Sequence, residues 1–206
     1  MTVIDDSSAS VTSGTSTGAS GGSSAGTAST TAKLVGVLRI ATGWMFLWSF
    51  LDSMFGLGFA TCRLEDGSID RGCDAAFING GSPTWGFLNF GTGGSKTSGL
   101  VDWMAPSAPN AINYADVLYM LGMLSVGVAL VFGIAIRLGG LGGAAMMALI
   151  YIASAVWPEY NPLVDDHIII GLVCLIFASA PGRAAAISLH DKWVAVPAVA
   201  DKPVLH

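Results

Sequence analysis

Asp165, Asp166 and His167 stand side by side where the segment "EYNPLVDDHIII" turns into an apolar run. An imidazole exchanges protons near neutral pH, and a carboxylate beside it holds its orientation, so this is a proton-handling set. A fourth candidate, Asp52, closes the stripe Trp44, Trp48, Asp52, whose i, i+4, i+8 spacing puts two indoles and a carboxylate on one helical face. Such a stripe is ordinarily packing, but an aromatic wall ending in an acid also suits a flat quinone ring. Further along, the turn-forming run Asn79, Gly80, Gly81, Ser82 offers backbone N–H groups of the kind that cradle oxyanions.

What must position these residues is a set of membrane helices. The chain is 52% hydrophobic and only 11% charged, well below the roughly 25% charged content of soluble domains. A hydrocarbon core of about 30 Å takes about 20 helical residues. Four segments qualify: 34–58, 115–136, 138–157 and 163–182. The expected fold is therefore an all-α integral membrane protein, a four-helix bundle over 33–182 with a long extracytoplasmic loop at 59–114. Residues 1–32 are almost all Ser, Thr, Gly and Ala, too poor in apolar groups to offset ordering, and read as a disordered tail without the pattern of a signal peptide. Residues 183–206 read as a C-terminal tail.

Orientation follows from the basic residues, which are enriched in cytoplasmic loops. Lys33, Arg39, Arg137, Arg183, Lys192 and Lys202 fall on one side, while Arg63, Arg71 and Lys96 are diluted in the long loop. Both termini are thus expected in the cytoplasm of a multi-pass cell-membrane protein. Arg39, about 9 Å of helix past Lys33, is expected to snorkel to the headgroups. Cys62 and Cys73 then lie on the oxidising side, where a disulfide is expected, and Cys174 within the fourth helix reads as a small apolar residue. Gly122, Gly127, Gly133, Gly139, Gly140, Gly142 and Gly143 suit close helix packing in lipid.

Depth groups the acids. Ile168–Ala180 is only 13 residues long, so the fourth helix should start near Leu163, with Asn161 as cap and Pro162 in the first helical position. Asp165, Asp166 and His167 then share the outer rim with Asp52, Asp116 and Glu159. Helix-dipole stabilisation accounts for acids in a first turn, but not for Asp52 at a C-terminal end. An Asp52–His167 pair, moving protons or locking helices one and four, is the resulting expectation.

A net charge of −5 gives no footprint for nucleic acid. "GTGGSKT" misses the phosphate-loop spacing and "GLGFAT" the dinucleotide fingerprint. His167 lies outside and His190 and His206 inside, and three cysteines are too few for an iron–sulfur cluster, so no haem, iron–sulfur, flavin or metal site is evident.

The blocks "GWMFLWSFLDSMFGLGFAT", "INGGSPTWGFLNFGT" and "NPLVDDHII", in that order between 34 and 182, resemble the DoxX/DoxD-like membrane proteins of actinobacterial type. The resemblance implies four membrane helices and a quinone-linked redox role. The DoxD branch is named for the large subunit of a thiosulfate:quinone oxidoreductase that works with a smaller subunit. The resemblance implies quinone as a substrate-like carrier and a smaller redox subunit as partner, while the turn at 79–82 is read from its backbone N–H groups alone as able to bind an oxyanion such as thiosulfate. The stretch from Cys62 to Cys73 looks like an insertion in that pattern. A non-catalytic scaffold that docks a redox enzyme is the rival reading, favoured by the missing electron carrier. A proton-coupled transporter has less support, because the acids gather at one face instead of crossing the span.

Overall fold

A computed structural model of the chain describes residues 24–91, 99, 102–154 and 163–206. Four long helices dominate it: α1 Ser24–Phe55, α2 Tyr114–Phe132, α3 Ile136–Ser154 and α4 Asp166–Ser179. They run antiparallel in chain order, α1 packing along α2 and α3 along α4, with the α2–α3 contact joining the pairs. Among the described residues there is no strand, only an isolated bridge between Arg63 and Ile69. Three helices are long and apolar enough to cross a membrane, over Thr30–Phe55, Tyr114–Phe132 and Ile136–Ala153.

The core joins all four helices through Phe46, Met123, Val126, Leu130, Met147, Cys174 and Phe177. Glycine sets how closely the backbones approach. A Cβ on Gly127 would sit 2.7 Å from the Leu47 nitrogen, and one on Gly140 would sit 2.5 Å from the Cys174 carbonyl oxygen. The α1–α2 and α3–α4 seams are therefore built backbone to backbone, as small residues allow. Outward faces remain apolar: Leu118, Leu121, Leu149, Leu172 and Ile176 are each more than half exposed.

Three boundaries differ from expectation. First, α1 opens at Ser24 instead of Leu34, so part of the Ser/Thr/Gly/Ala stretch is helical; extending an existing helix costs far less than nucleating one. Residues 1–23 lie outside the described residues. Second, α4 begins at Asp166, because Asp165, with extended backbone, is its cap and accepts the Ile168 N–H at 3.1 Å. Asn161 and Pro162, the expected start, lie outside the described residues. Third, α4 stops at Ser179, since Pro181 pushes Ala180 off helical geometry (φ −135°, ψ 61°) before a four-residue helix α5, Pro181–Ala184. At 14 residues, α4 measures about 21 Å, short of a bilayer core.

The C-terminal segment folds back onto the bundle. Two short helices, α6 His190–Val194 and α7 Pro197–Ala200, bury Val199 and turn back so that His206 O accepts the Arg137 N–H opening α3 at 3.0 Å. The Trp193 indole N–H donates to Leu205 O at 2.6 Å and pins the return.

At the other end, the connection between α1 and α2 forms a cap over the bundle. Cys62 and Cys73 are joined by a disulfide with Cα atoms 5.6 Å apart. Inside this covalent ring, Ser68 donates its hydroxyl and its N–H to Asp66, which holds that carboxyl below the usual carboxylate range. Cross-linking residues 11 apart removes unfolded-chain freedom worth about 3 kcal/mol. The double substitution Cys62→Ser, Cys73→Ser is expected to lower stability by about that much, read as an earlier unfolding transition in detergent that reductant no longer shifts.

Candidate functional site

The site grows out of the start of α4. Asp165 uses one carboxylate oxygen to cap the helix and the other to hold His167 Nδ1 at 2.7 Å. Asp166 lies 3.3 Å from the same nitrogen but is 80% exposed, whereas Asp165 is 14% exposed. Asp165 is therefore the orienting partner and Asp166 a solvent-side neighbour. A carboxylate on Nδ1 favours a proton there and leaves Nε2 as the exchanging nitrogen.

His167 borders a cavity of about 400 Å³. Its floor is apolar side chains of α2 and α3, including Leu118, Met146 and Leu149, and its cover comes from the cap segment, including Thr84 and Phe87. Tyr119 of α2 also lines it and stands beside Ser53 and the Asp52 carboxylate. A mostly apolar hollow with a few polar groups is the usual form of a small-molecule site.

Asp52 and His167 are not a pair. Asp52 is 2% exposed, and its carboxylate accepts three backbone N–H groups from the chain that leaves α1: Phe59 at 3.1 Å, Ala60 at 2.7 Å and Thr61 at 2.8 Å. These donors compensate the unfavourable end of the helix dipole. Asp116, fully buried, is used in the same way at the other end of the cap. It accepts the Ser82 hydroxyl at 2.7 Å, the Thr84 N–H at 3.0 Å and hydroxyl at 2.7 Å, and the Asn113 N–H at 2.9 Å, the last completing a capping box with Asn113. The described rim acids thus divide into two anchors, Asp52 and Asp116, one histidine-orienting cap, Asp165, and the exposed Asp166. Glu159 lies outside the described residues.

The expected oxyanion turn is occupied by its own chain. The N–H groups of Asn79 and Gly81 donate to Ala76 O, that of Gly80 to Phe77 O and that of Ser82 to Pro109 O. The Asn79 amide donates to Gly72 O and Cys73 O. A Cβ at Gly81 would collide with the Ala75 carbonyl, so the glycines serve the tightness of this turn and leave no cradle of free N–H groups. Trp44 and Trp48 do meet, with ring centroids 5.7 Å apart and planes tilted by 35°, and Phe59 meets Trp48 edge-on at 4.9 Å. Trp44 is 49% exposed and neither indole borders the cavity, so the pair belongs to the outer face of α1.

Sequence reasoning passed over Tyr119 and Thr84. The signal for Tyr119 was a lone phenol inside the apolar run "DVLYMLGML", since a buried tyrosine needs a partner for its hydroxyl. Thr84 carried no such signal. Searched against family models, curated proteins and solved structures, the chain matches none.

Proposed function

We propose that this chain is a membrane protein whose capped cavity binds a flat, largely apolar molecule of the quinone type, with His167 as the proton-exchanging group. The single observation carrying this reading is an apolar cavity edged by a histidine whose Nδ1 is fixed by Asp165 at 2.7 Å. The three apolar helices and their lipid-like outer faces support residence in the bilayer, with α4 and α5 completing a fourth, broken span. The excess of Lys and Arg near the termini supports a cytoplasmic placement for both, which sets the cavity at the outer leaflet.

A quinone supplies two-electron chemistry, becoming quinol as it takes up two electrons and two protons. In this proposal the chain's share is the protons: Asp165 holds the imidazole, Nε2 gives or takes a proton at a quinone oxygen, and Asp166 meets solvent. The electrons come from a partner redox subunit, in keeping with the resemblance of three sequence blocks to the DoxX/DoxD-like proteins. Thiosulfate as the reductant would bind on that partner, because the 79–82 turn has no free N–H groups.

The test is equilibrium binding of a soluble quinone analogue to the purified chain in lipid nanodiscs. Saturable binding is expected in the wild type, at least about tenfold weaker in His167→Ala, the loss of one strong hydrogen bond. Leu118→Trp, which fills the cavity from its open side, is expected to block it. An analogue that binds wild type and both variants alike sinks this reading.

One observation favours a second reading, a scaffold that docks a redox enzyme. The cap is firmly anchored by Asp52 and Asp116 yet presents Phe90 and Trp103, 67% and 71% exposed. Absence of any saturable quinone binding would favour it.

A further inference from the structure

At the opposite end of the bundle Arg39 is expected to reach the headgroups along the side of α1, but it is fully buried inside the protein. Nη2 donates to Ile187 O at 2.9 Å, but Nε and Nη1 have no partner among the described residues. A guanidinium does not give up its charge inside proteins, and an uncompensated buried cation is strongly disfavoured. Its surroundings are nevertheless shaped to hold it. Gly133, the left-handed residue closing α2 (φ 67°), leaves the space that Nη1 occupies, since a Cβ there would collide with it and with Ser188.

The cover over Arg39 is the segment 185–189. Leu189 N–H bonds Phe132 O at 2.9 Å, and Ser188 Oγ bonds Ala185 O and receives the His190 N–H. Within it Ile187 has φ 57°, a left-handed conformation that a β-branched residue rarely takes. The residue is 62% exposed, so no packing of its side chain demands that backbone. What the turn gains is the carbonyl aimed at Arg39. Strain kept for the sake of one polar contact is a pointer to function, and a ligand reaches the guanidinium only if this segment swings outward.

We propose that Arg39, with Gly133 and the 185–189 cover, forms a binding site for a phosphate group, supplied by an anionic phospholipid of the adjacent leaflet or by free phosphate. A phosphate brings both the missing charge and several acceptor oxygens, which a second carbonyl does not. Lys33, exposed on α1, lies about 9 Å nearer the terminal end on a different face of the helix. The site is independent of the His167 cavity, so its test involves no quinone.

The experiment is native mass spectrometry of the full chain released from detergent, with phosphatidylglycerol, a glycolipid of the same acyl chains lacking phosphate, or inorganic phosphate added. One phosphatidylglycerol per wild-type chain is expected, retained at least about tenfold more tightly than by Arg39→Gln, with Arg39→Lys intermediate. Displacement by millimolar phosphate would identify the free ion as the natural source and still support the site; no displacement would identify the lipid. Equal retention by wild type and Arg39→Gln overturns the proposal. Should Arg39→Gln not fold, competition on the wild type decides: glycolipid displacing phosphatidylglycerol at equal concentration overturns it, and failure to displace supports it.

Discussion

Asp116→Ala is expected to cost about 4 kcal/mol of stability, from buried hydrogen bonds to a charged group worth roughly 1.5–3 kcal/mol each and not fully additive. Four donors converge on this fully buried carboxylate: the Ser82 and Thr84 hydroxyls and the Thr84 and Asn113 N–H groups. Deleting it strands the Thr84 N–H in a buried position and removes one half of the capping box of α2. The hydroxyls can rotate to other acceptors, whereas the backbone donors cannot. Chemical unfolding in detergent measures the loss, and limited proteolysis between 82 and 91 should become faster as the cap lifts. Because Thr84 and Phe87 cover the cavity, ligand affinity at His167 should fall too, although Asp116 touches no ligand. A loss under about 1 kcal/mol would mean that solvent reaches Thr84 and that the cap is not anchored here.

The residues that were legible are those whose chemistry is local. The lengths of α2 and α3 follow from apolar runs bounded by polar or glycine-rich turns, and both helices lie within a few residues of expectation. The grouping of Asp165, Asp166 and His167 was visible because they are consecutive. Their division of labour was not. Asn161 before Pro162 and Asp165 before Asp166 both satisfy capping rules, and the choice depends on where the chain re-enters the bundle, with Leu163 in a left-handed turn (φ 69°) and its carbonyl bonded to the Tyr151 hydroxyl. The same limit applies to Arg39. Distance along α1 suggested snorkelling, but its burial is decided by a segment about 150 residues later in the chain, whose Ile187 carbonyl it meets (|i−j| = 148).

Asp52 is the sharper lesson, because it was singled out for a sound reason. An acid at the C-terminal end of a helix faces an unfavourable dipole, and with no local donor in view the inference ran to chemistry. The donors are supplied by the turn that follows: the chain reverses at Gly56 (φ 62°) and brings the N–H groups of 59–61 back to the carboxylate. Nothing in the spacing of "DSMFGLGFAT" dictates that path. A carboxylate accepting three backbone N–H groups is held in place as an anchor, in a geometry suited to structure more than to turnover of protons.

Asp52→Asn separates these roles. An asparagine oxygen placed at Oδ2 still accepts from Ala60 and Thr61, but its NH₂ then points at the Phe59 N–H, donor against donor. About 2 kcal/mol of stability should be lost, and about 4 kcal/mol in Asp52→Ala, where all three N–H groups lose their acceptor. Amide exchange at 59–61 should accelerate in the same order, and Tyr119, beside Ser53 and Asp52, should transmit only a small change to the cavity. Quinone-analogue affinity should accordingly stay within about threefold of wild type in Asp52→Asn, while His167→Ala loses it. If instead Asp52→Asn leaves stability and amide exchange untouched but abolishes proton uptake linked to quinone reduction, Asp52 is the proton donor after all. Tyr119, set between Asp52 and the cavity, would then be the group through which the proton travels.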